Sequence, residues 1–274
     1  MVYLLPHSGL ANRVRVILSG LTFSDKVNQP LTVIWSKDES LFCDFHDLYE
    51  VDDKFVVKNY GFIYKLLKKA LKSPLLKAAI YRMYSIDFSL FDKDIEAYVW
   101  STGSDIINYQ KLPQKVRNYF FSTCHEFDFD RKYLSCLRPV KSIRDMVDKN
   151  TLSFTGKTIG IHIRRTDNLE SITESPVDRF IQAMRYEVEA DPAVNFFLAT
   201  DDPEVESMLI QKFAGKVCIY KKDYSRSTEK GIKDAMVDLY SLANTCKIYG
   251  SYYSSYSHLA SRIGDIPLTI IRKD

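Results

Sequence analysis

From Thr158 to the C-terminus, short apolar runs alternate with stretches of helical periodicity. Residues 158–163 form an unbroken apolar strand pattern, and 178–190 place apolar side chains three and four apart, as one buried helix face requires. Asn195 to Ala199 reads as a second strand, Pro203 to Phe213 as a helix opening with proline in its first turn, and Val217 to Tyr220 as a third strand. A helix over 231–245 leads to Ile248-Tyr249-Gly250, a short helix from Ser257, and a last strand at Leu268 to Ile271. Strands separated by helices pair in parallel, so the pattern predicts an α/β fold: a parallel sheet with helices on both faces.

The N-terminal half repeats the theme less regularly. Val2 to Leu5 reads as a strand, His7 to Ala11 as a tight turn around Gly9, and Asn12 as the cap of a helix reaching Lys26, before a second strand at Leu31 to Trp35. A helix N-terminus beside a glycine turn favours an anionic group, although one glycine also serves as a plain backbone necessity. Residues 64–72 form a basic amphipathic helix, interrupted at Pro74 and resumed over 75–84; its two readings are a solvated helix and peripheral contact with an anionic membrane surface. Residues 128–149 read as one long helix. The expected domains are therefore 1–150 and 151–274.

On this scheme the polar clusters fall just after strands. His162 to Asp167 follow the first C-terminal strand, Thr200-Asp201-Asp202 the second, Lys221-Lys222-Asp223 the third, and Ser251 to Ser257 the fourth. In a parallel sheet all of these lie on one rim, where α/β proteins bind ligands. Two adjacent arginines at a strand end, Arg164 and Arg165, make an anion site, because a guanidinium offers paired donors to a phosphate at any working pH. Arg165 has an alternative reading as a structural ion-pair partner of Asp167 or Asp202. Asp201-Asp202 reads either as a metal-binding acidic pair or as the cap of the helix at Pro203; the cap is favoured, because no third ligand is evident and the pair abuts that helix.

Composition narrows the classes. A chain of 274 residues with 18 Tyr and 16 Phe is built to fold, and a net charge of +3 is too small for a nucleic-acid coat. The five cysteines are odd in number, widely spaced and never in CxxC, which predicts thiols in a reducing compartment rather than a disulfide framework or zinc site. No run approaches the roughly 20 apolar residues of a membrane span, and no targeting segment is visible, so a soluble, cytoplasmic protein is expected.

His162-Ile163-Arg164-Arg165-Thr166-Asp167, with Ala199-Thr200-Asp201-Asp202-Pro203 downstream, resembles the signature of the α1,6-fucosyltransferases, including the Nod-factor enzymes, and more loosely that of the α1,2- and protein O-fucosyltransferases. The resemblance extends to Asp238-Leu239-Tyr240-Ser241-Leu242-Ala243, to Gly250 with Ser254-Ser255-Tyr256-Ser257, and to Gly9-Leu10-Ala11-Asn12-Arg13; residues 36–150 show none. It implies a GT-B-like fold of two Rossmann-like domains facing across a cleft, with the donor GDP-fucose held mainly by the second, and inverting transfer without metal or other cofactor; the acceptor, expected to be a glycan or lipid-linked glycan, lies outside the resemblance. It implies that Arg164 grips the β-phosphate, that His162 and Asp238 hold the guanine, and that Ser254 and Ser255 bind diphosphate oxygens. Gly9, Asn12, Arg13, Arg165, Asp201 and Ser257 complete the donor-binding set. The general base is sought at Asp167 or Glu170, ahead of Glu174. Asn168 departs from the family, which carries lysine there, and Ala11 stands where relatives often carry glycine. The alternatives are transfer from another nucleotide sugar and a non-catalytic nucleotide- or phosphate-binding protein.

Overall fold

The computed structural model describes residues 1–59, 69–102, 106–108, 110, 112, 113 and 116–273. They divide into two compact units, Met1–Val140 with Arg226–Glu229, and Lys141–Ser225 with Lys230–Asp274. Each is built on a five-stranded sheet, and both sheets are parallel throughout.

In the first unit, β1 (Val2–Pro6) runs into α1 (Leu10–Lys26), followed by β2 (Leu31–Trp35), β3 (Phe55–Asn59), α2 (Pro74–Met83), β4 (Ile86–Phe91), α3 (Asp92–Thr102) and β5 (Asn118–Thr123), in the sheet order β3-β2-β1-β5-β4. The helix α1 lies close on β1, because a Cβ at Gly20 would stand 2.6 Å from a methyl of Leu4. The later strands carry a weaker sequence signal: β3 is largely exposed and β4 has only two buried residues, so neither shows a continuous apolar run. Residues 60–68, which include the start of the basic amphipathic segment, lie outside the described residues. Its later part, α2, buries no side chain and leaves Leu75 84% and Met83 69% exposed.

Residues 128–149 are not one helix. Arg131–Cys136 is a 3-10 turn, and α4 (Lys141–Thr151) starts afresh after Pro139, whose missing amide and fixed φ end the preceding turn. The helix α4 belongs to the second unit: it buries Ile143 and Val147, and Asn150 Nδ2 donates to Ser241 Oγ at 2.9 Å. The division thus falls between Val140 and Lys141, not near 150.

The second unit continues with β6 (Thr158–Ile163), α5 (Leu169–Glu174), α6 (Val177–Ala190), β7 (Asn195–Thr200), α7 (Pro203–Lys212), β8 (Val217–Ile219), α8 (Glu229–Ala243), β9 (Ile248–Ser251), α9 (Ser255–Gly264) and β10 (Leu268–Ile271), in the order β10-β9-β6-β7-β8. Period-two alternation along β6 sends Ile159, Ile161 and Ile163 into a core with Phe180, Met184, Val205 and Leu209 of α6 and α7. Gly160 and His162 face the other way; a Cβ at Gly160 would stand 3.0 Å from Leu242 of α8, and His162 stacks on Tyr256 of α9. A tighter contact joins α9 to the end of α8: a Cβ at Gly264 would lie 2.0 Å from the Ala243 carbonyl oxygen. Gly264→Ala is therefore expected to cost about 2 kcal/mol, as overpacking against a backbone that cannot rotate away; an unchanged urea midpoint would contradict this.

All five cysteines carry thiols rather than disulfides. No helix among the described residues is long and apolar enough to cross a membrane.

Candidate functional site

The strand order of the second sheet reverses at β6: one connection leads outward to β7 and β8, the other to β9 and β10. Carboxyl ends of strands on either side of such a reversal splay apart, and ligands enter there. At this point the Arg164 amide donates to Ser251 Oγ at 3.0 Å, joining the end of β6 to the end of β9.

The loop after β6 is held by Asp201 at the end of β7. Its Oδ1 accepts the Arg165 amide at 2.7 Å and its Oδ2 accepts the Thr166 hydroxyl at 2.8 Å. Burial pushes the Asp201 carboxyl up, but these two bonds with the charges of Arg164 and His162 outweigh it and hold the group below the usual range. Asp202 caps α7, accepting the amides of Glu204 at 2.9 Å and Val205 at 3.3 Å. Both carboxylates thus have structural partners, and the cap reading holds for Asp202. The Arg164 guanidinium lies against Asp167, with its other terminal nitrogen 4.0 Å from Asp201 Oδ2.

Arg165 points elsewhere. Its guanidinium donates to the carbonyls of Ile172 and Ser175 at the end of α5, the position where a cation complements the helix dipole. It clamps that helix, while its Nε is buried without a hydrogen-bond partner among the described residues.

The short helix α5 was not visible in the alternation pattern, and it frames the site. Asn168 caps it, accepting the Ser171 amide at 3.0 Å, and its Nδ2 donates to the Tyr253 carbonyl at 3.1 Å. Ser171 Oγ donates to the Tyr252 carbonyl at 2.6 Å, and Ser175 Oγ accepts the Tyr252 amide at 2.8 Å. The two loops that flank the switch point are thereby stitched into one frame. Sequence reading singled out neither Ser171 nor Ser175 and named Ser251 only as part of the polar run after β9; the available signal was an asparagine followed three residues later by serine, an N-cap spacing. Glu170 stands exposed in the first turn of α5, whereas Glu174 is tied to Arg272 at 3.2 Å and Lys273 at 2.9 Å.

On the other side, the turn through Tyr253, which adopts a left-handed φ of 54°, delivers Ser254 to the N-terminus of α9. Ser254 is buried, but its side chain makes no capping bond, and Ser255 is the first residue of the helix. Ser257 is fully buried, and a Cβ at Gly250 would stand 2.6 Å from its hydroxyl. It packs the helix against the strand.

Asp238, within a row of buried residues on α8, is itself buried. Lys222 Nζ lies 2.5 Å from its Oδ2, while its Oδ1 has no hydrogen-bond partner among the described residues. Burial pushes the carboxyl up to about 6 against the opposing pull of Lys222, with Glu206 and Asp234 adding to the rise.

In the first unit Gly9, Asn12 and Arg13 lie where β1 turns into α1. Arg13 is fully buried: Nε donates to the Ser8 carbonyl at 2.7 Å, one terminal nitrogen to the Ser36 carbonyl at 2.5 Å, and the other to both oxygens of Asp38 at 2.8 Å. Every arm of the guanidinium is engaged in pinning the loops after β1 and β2. The helix starts at Leu10 with Gly9 at its cap, and Asn12 lies inside the first turn, where Nδ2 donates to Ser8 Oγ at 3.2 Å. The left-handed residue of the turn is Ser8, at φ 72°, while Gly9 is extended at φ −72°. At the carboxyl ends of β1, β4 and β5, His7 Nε2 lies 3.1 Å from Asp92 Oδ2, and Asp92 Oδ1 accepts from Thr123 Oγ1 at 2.8 Å and the Cys124 amide at 2.9 Å.

Two doubly wound units, each on an all-parallel sheet, define an α/β protein with the GT-B-type fold. Solved structures of fucosyltransferases share this fold. NodZ α-1,6-fucosyltransferase soaked with GDP-fucose superposes with a TM-score of 0.66 at 14% identity, covering 96% of this chain and 92% of that one. A mutant of Arabidopsis thaliana FUT1 in complex with GDP gives 0.65 at 14% identity over 100% of this chain and 70% of that one. POFUT1 in complex with GDP gives 0.58 at 11% identity over 98% and 97%. No protein-family model matches the chain. No curated protein matches its sequence.

Proposed function

We propose that the protein is an inverting fucosyltransferase that transfers fucose from GDP-fucose to a hydroxyl of a glycan or lipid-linked glycan. The observation that carries the reading is the buried Asp238 carboxylate with one oxygen unsatisfied, on the same sheet face as His162 and in the unit whose switch point presents Arg164. An acceptor oxygen beside a cation-paired one suits N1–H and the exocyclic amine of guanine. The fold shared with structures holding GDP and GDP-fucose supports it.

In this reading the acceptor oxygen forms its bond to the fucose anomeric carbon as the bond from that carbon to the β-phosphate oxygen breaks, and the acceptor proton passes to a carboxylate, Asp167 or Glu170. Arg164, steadied by Asp167 and Asp201, and the N-terminus of α9 with Ser254 and Ser255 take up the charge that accumulates on GDP. Because Asp201 and Asp202 are committed to amides and a hydroxyl, the reading assigns the diphosphate to Arg164 and α9 and needs no metal. Calorimetric titration with GDP, ADP and UDP in EDTA tests it. A clear preference for GDP that survives chelation is expected; equal binding of the three, or binding only with a divalent cation, overturns it.

A pH prediction follows. Asp238 must be ionised to accept from guanine, and its carboxyl is raised to about 6. GDP affinity is therefore expected to be level above pH 7 and to fall about tenfold for each pH unit below 6. The unliganded protein, in contrast, loses stability as pH rises from about 4 to 6, since the folded state then holds the proton more tightly than the unfolded one. A flat affinity profile from pH 5 to 8 would contradict the assignment of Asp238.

A further inference from the structure

Lys222, just beyond β8, is almost wholly buried, with its side chain 5% exposed. Its ammonium stands between two carboxylates, 2.5 Å from Asp238 Oδ2 and 3.9 Å from Glu206 Oε2. One positive charge thus meets two negative ones away from solvent. Among the described residues, neither Asp238 Oδ1 nor Glu206 Oε2 accepts a hydrogen bond. Buried acceptors left open are costly, and two in one cluster mark a place that a ligand rich in N–H donors would complete.

The order of groups specifies that ligand. From Lys222 through Oδ2 to Oδ1 of Asp238 the cluster presents a donor, an acceptor and an acceptor. Its complement is an acceptor followed by two donors, which is the edge of guanine: O6, N1–H and the 2-amino group. Adenine offers a donor and then an acceptor, cytosine a donor and two acceptors, and uracil an acceptor on either side of its single donor. Hypoxanthine lacks the third group, and xanthine replaces it with an acceptor.

We propose that Lys222 is the residue that reads guanine O6, with Asp238 accepting N1–H on Oδ2 and the 2-amino group on Oδ1, and Glu206 steadying the ammonium. Without nucleotide, Lys222 closes on Asp238 and neutralises it; with guanine present the ammonium keeps that contact and donates a further N–H to O6. This inference rests on the GDP-sugar reading and sharpens it from a carboxylate that prefers guanine to a three-point recognition of the base.

The test is calorimetry with GDP, IDP, 6-thio-GDP, XDP and UDP on wild type, Lys222→Met, Lys222→Gln and Asp238→Asn, each checked for folding by thermal unfolding. Wild type is expected to bind GDP at least tenfold tighter than IDP, which leaves Oδ1 open, and tighter than 6-thio-GDP, whose sulfur is a poor acceptor. Lys222→Met is expected to weaken GDP at least tenfold and to erase the preference over 6-thio-GDP, and Lys222→Gln, which keeps an N–H donor, to restore part of it. Asp238→Asn is expected to turn the preference towards XDP, because an amide supplies the donor that xanthine requires. If wild type prefers GDP over UDP but shows no preference over 6-thio-GDP, or if the lysine variants keep it, the role of Lys222 is overturned and the donor reading stands. If wild type binds GDP no better than UDP, the donor reading falls and this inference with it. Should Lys222→Met fail to fold, Lys222→Gln and the wild-type series decide.

Discussion

Arg164→Ala is expected to lower fucosyl transfer and GDP affinity by more than a hundredfold while leaving the protein folded. The side chain sits at the switch point, where its guanidinium lies against Asp167 and 4.0 Å from Asp201. Removing a charge-assisted donor aimed at a leaving group costs about 3 kcal/mol, which is that factor in rate. Arg164→Lys keeps the charge and loses the paired geometry, so an intermediate loss is expected. Single-turnover transfer and GDP calorimetry on both variants check this; an alanine variant that binds GDP as wild type does would remove Arg164 from the site.

Arg13→Ala is expected to have the opposite profile, a loss of stability of about 3–5 kcal/mol. Truncation strands the Asp38 carboxylate and leaves the Ser8 and Ser36 carbonyls without their donors in the interior of the first unit. Although burial pushes the Asp38 carboxyl up, the charge of Arg13 and the hydroxyls of Ser40 and Ser36 hold it below the usual range. The pair therefore stabilises fully at neutral pH and its contribution is lost as pH falls through the acid range. Urea denaturation at pH 7 is the measurement. A variant with a wild-type midpoint but impaired GDP binding would restore Arg13 to the donor site.

The second unit was legible from its sequence because its strands are buried on both faces, β6 and β7 reading as continuous apolar runs with proline at the start of α7. The placement of polar groups on one rim followed from that parallel order. The first unit resisted for physical reasons: β3 and β4 are half exposed, and Pro139 splits what apolar periodicity joins. Residue type also misleads where side-chain direction decides. Arg164 and Arg165 are chemically equal in the sequence, yet the end of the strand sends one to the rim and the other to the carbonyls of α5. Likewise Arg13, in a motif that suggests an anion site, is consumed by backbone and Asp38. Asn168 looked like a missing lysine, and its function as a cap that also ties Tyr253 emerges only from the tertiary contact.

That tie bears on how the protein can be re-engineered. Residues 168–175 and 252–254 come from distant parts of the chain but share three hydrogen bonds through Asn168, Ser171 and Ser175, and Ser175 donates a further one to the Ile271 carbonyl of β10. A chimera that imports one loop from a relative with lysine at position 168 would meet a partner loop shaped for asparagine. The two segments behave as a single exchangeable cassette, to be transplanted together with β10 or not at all.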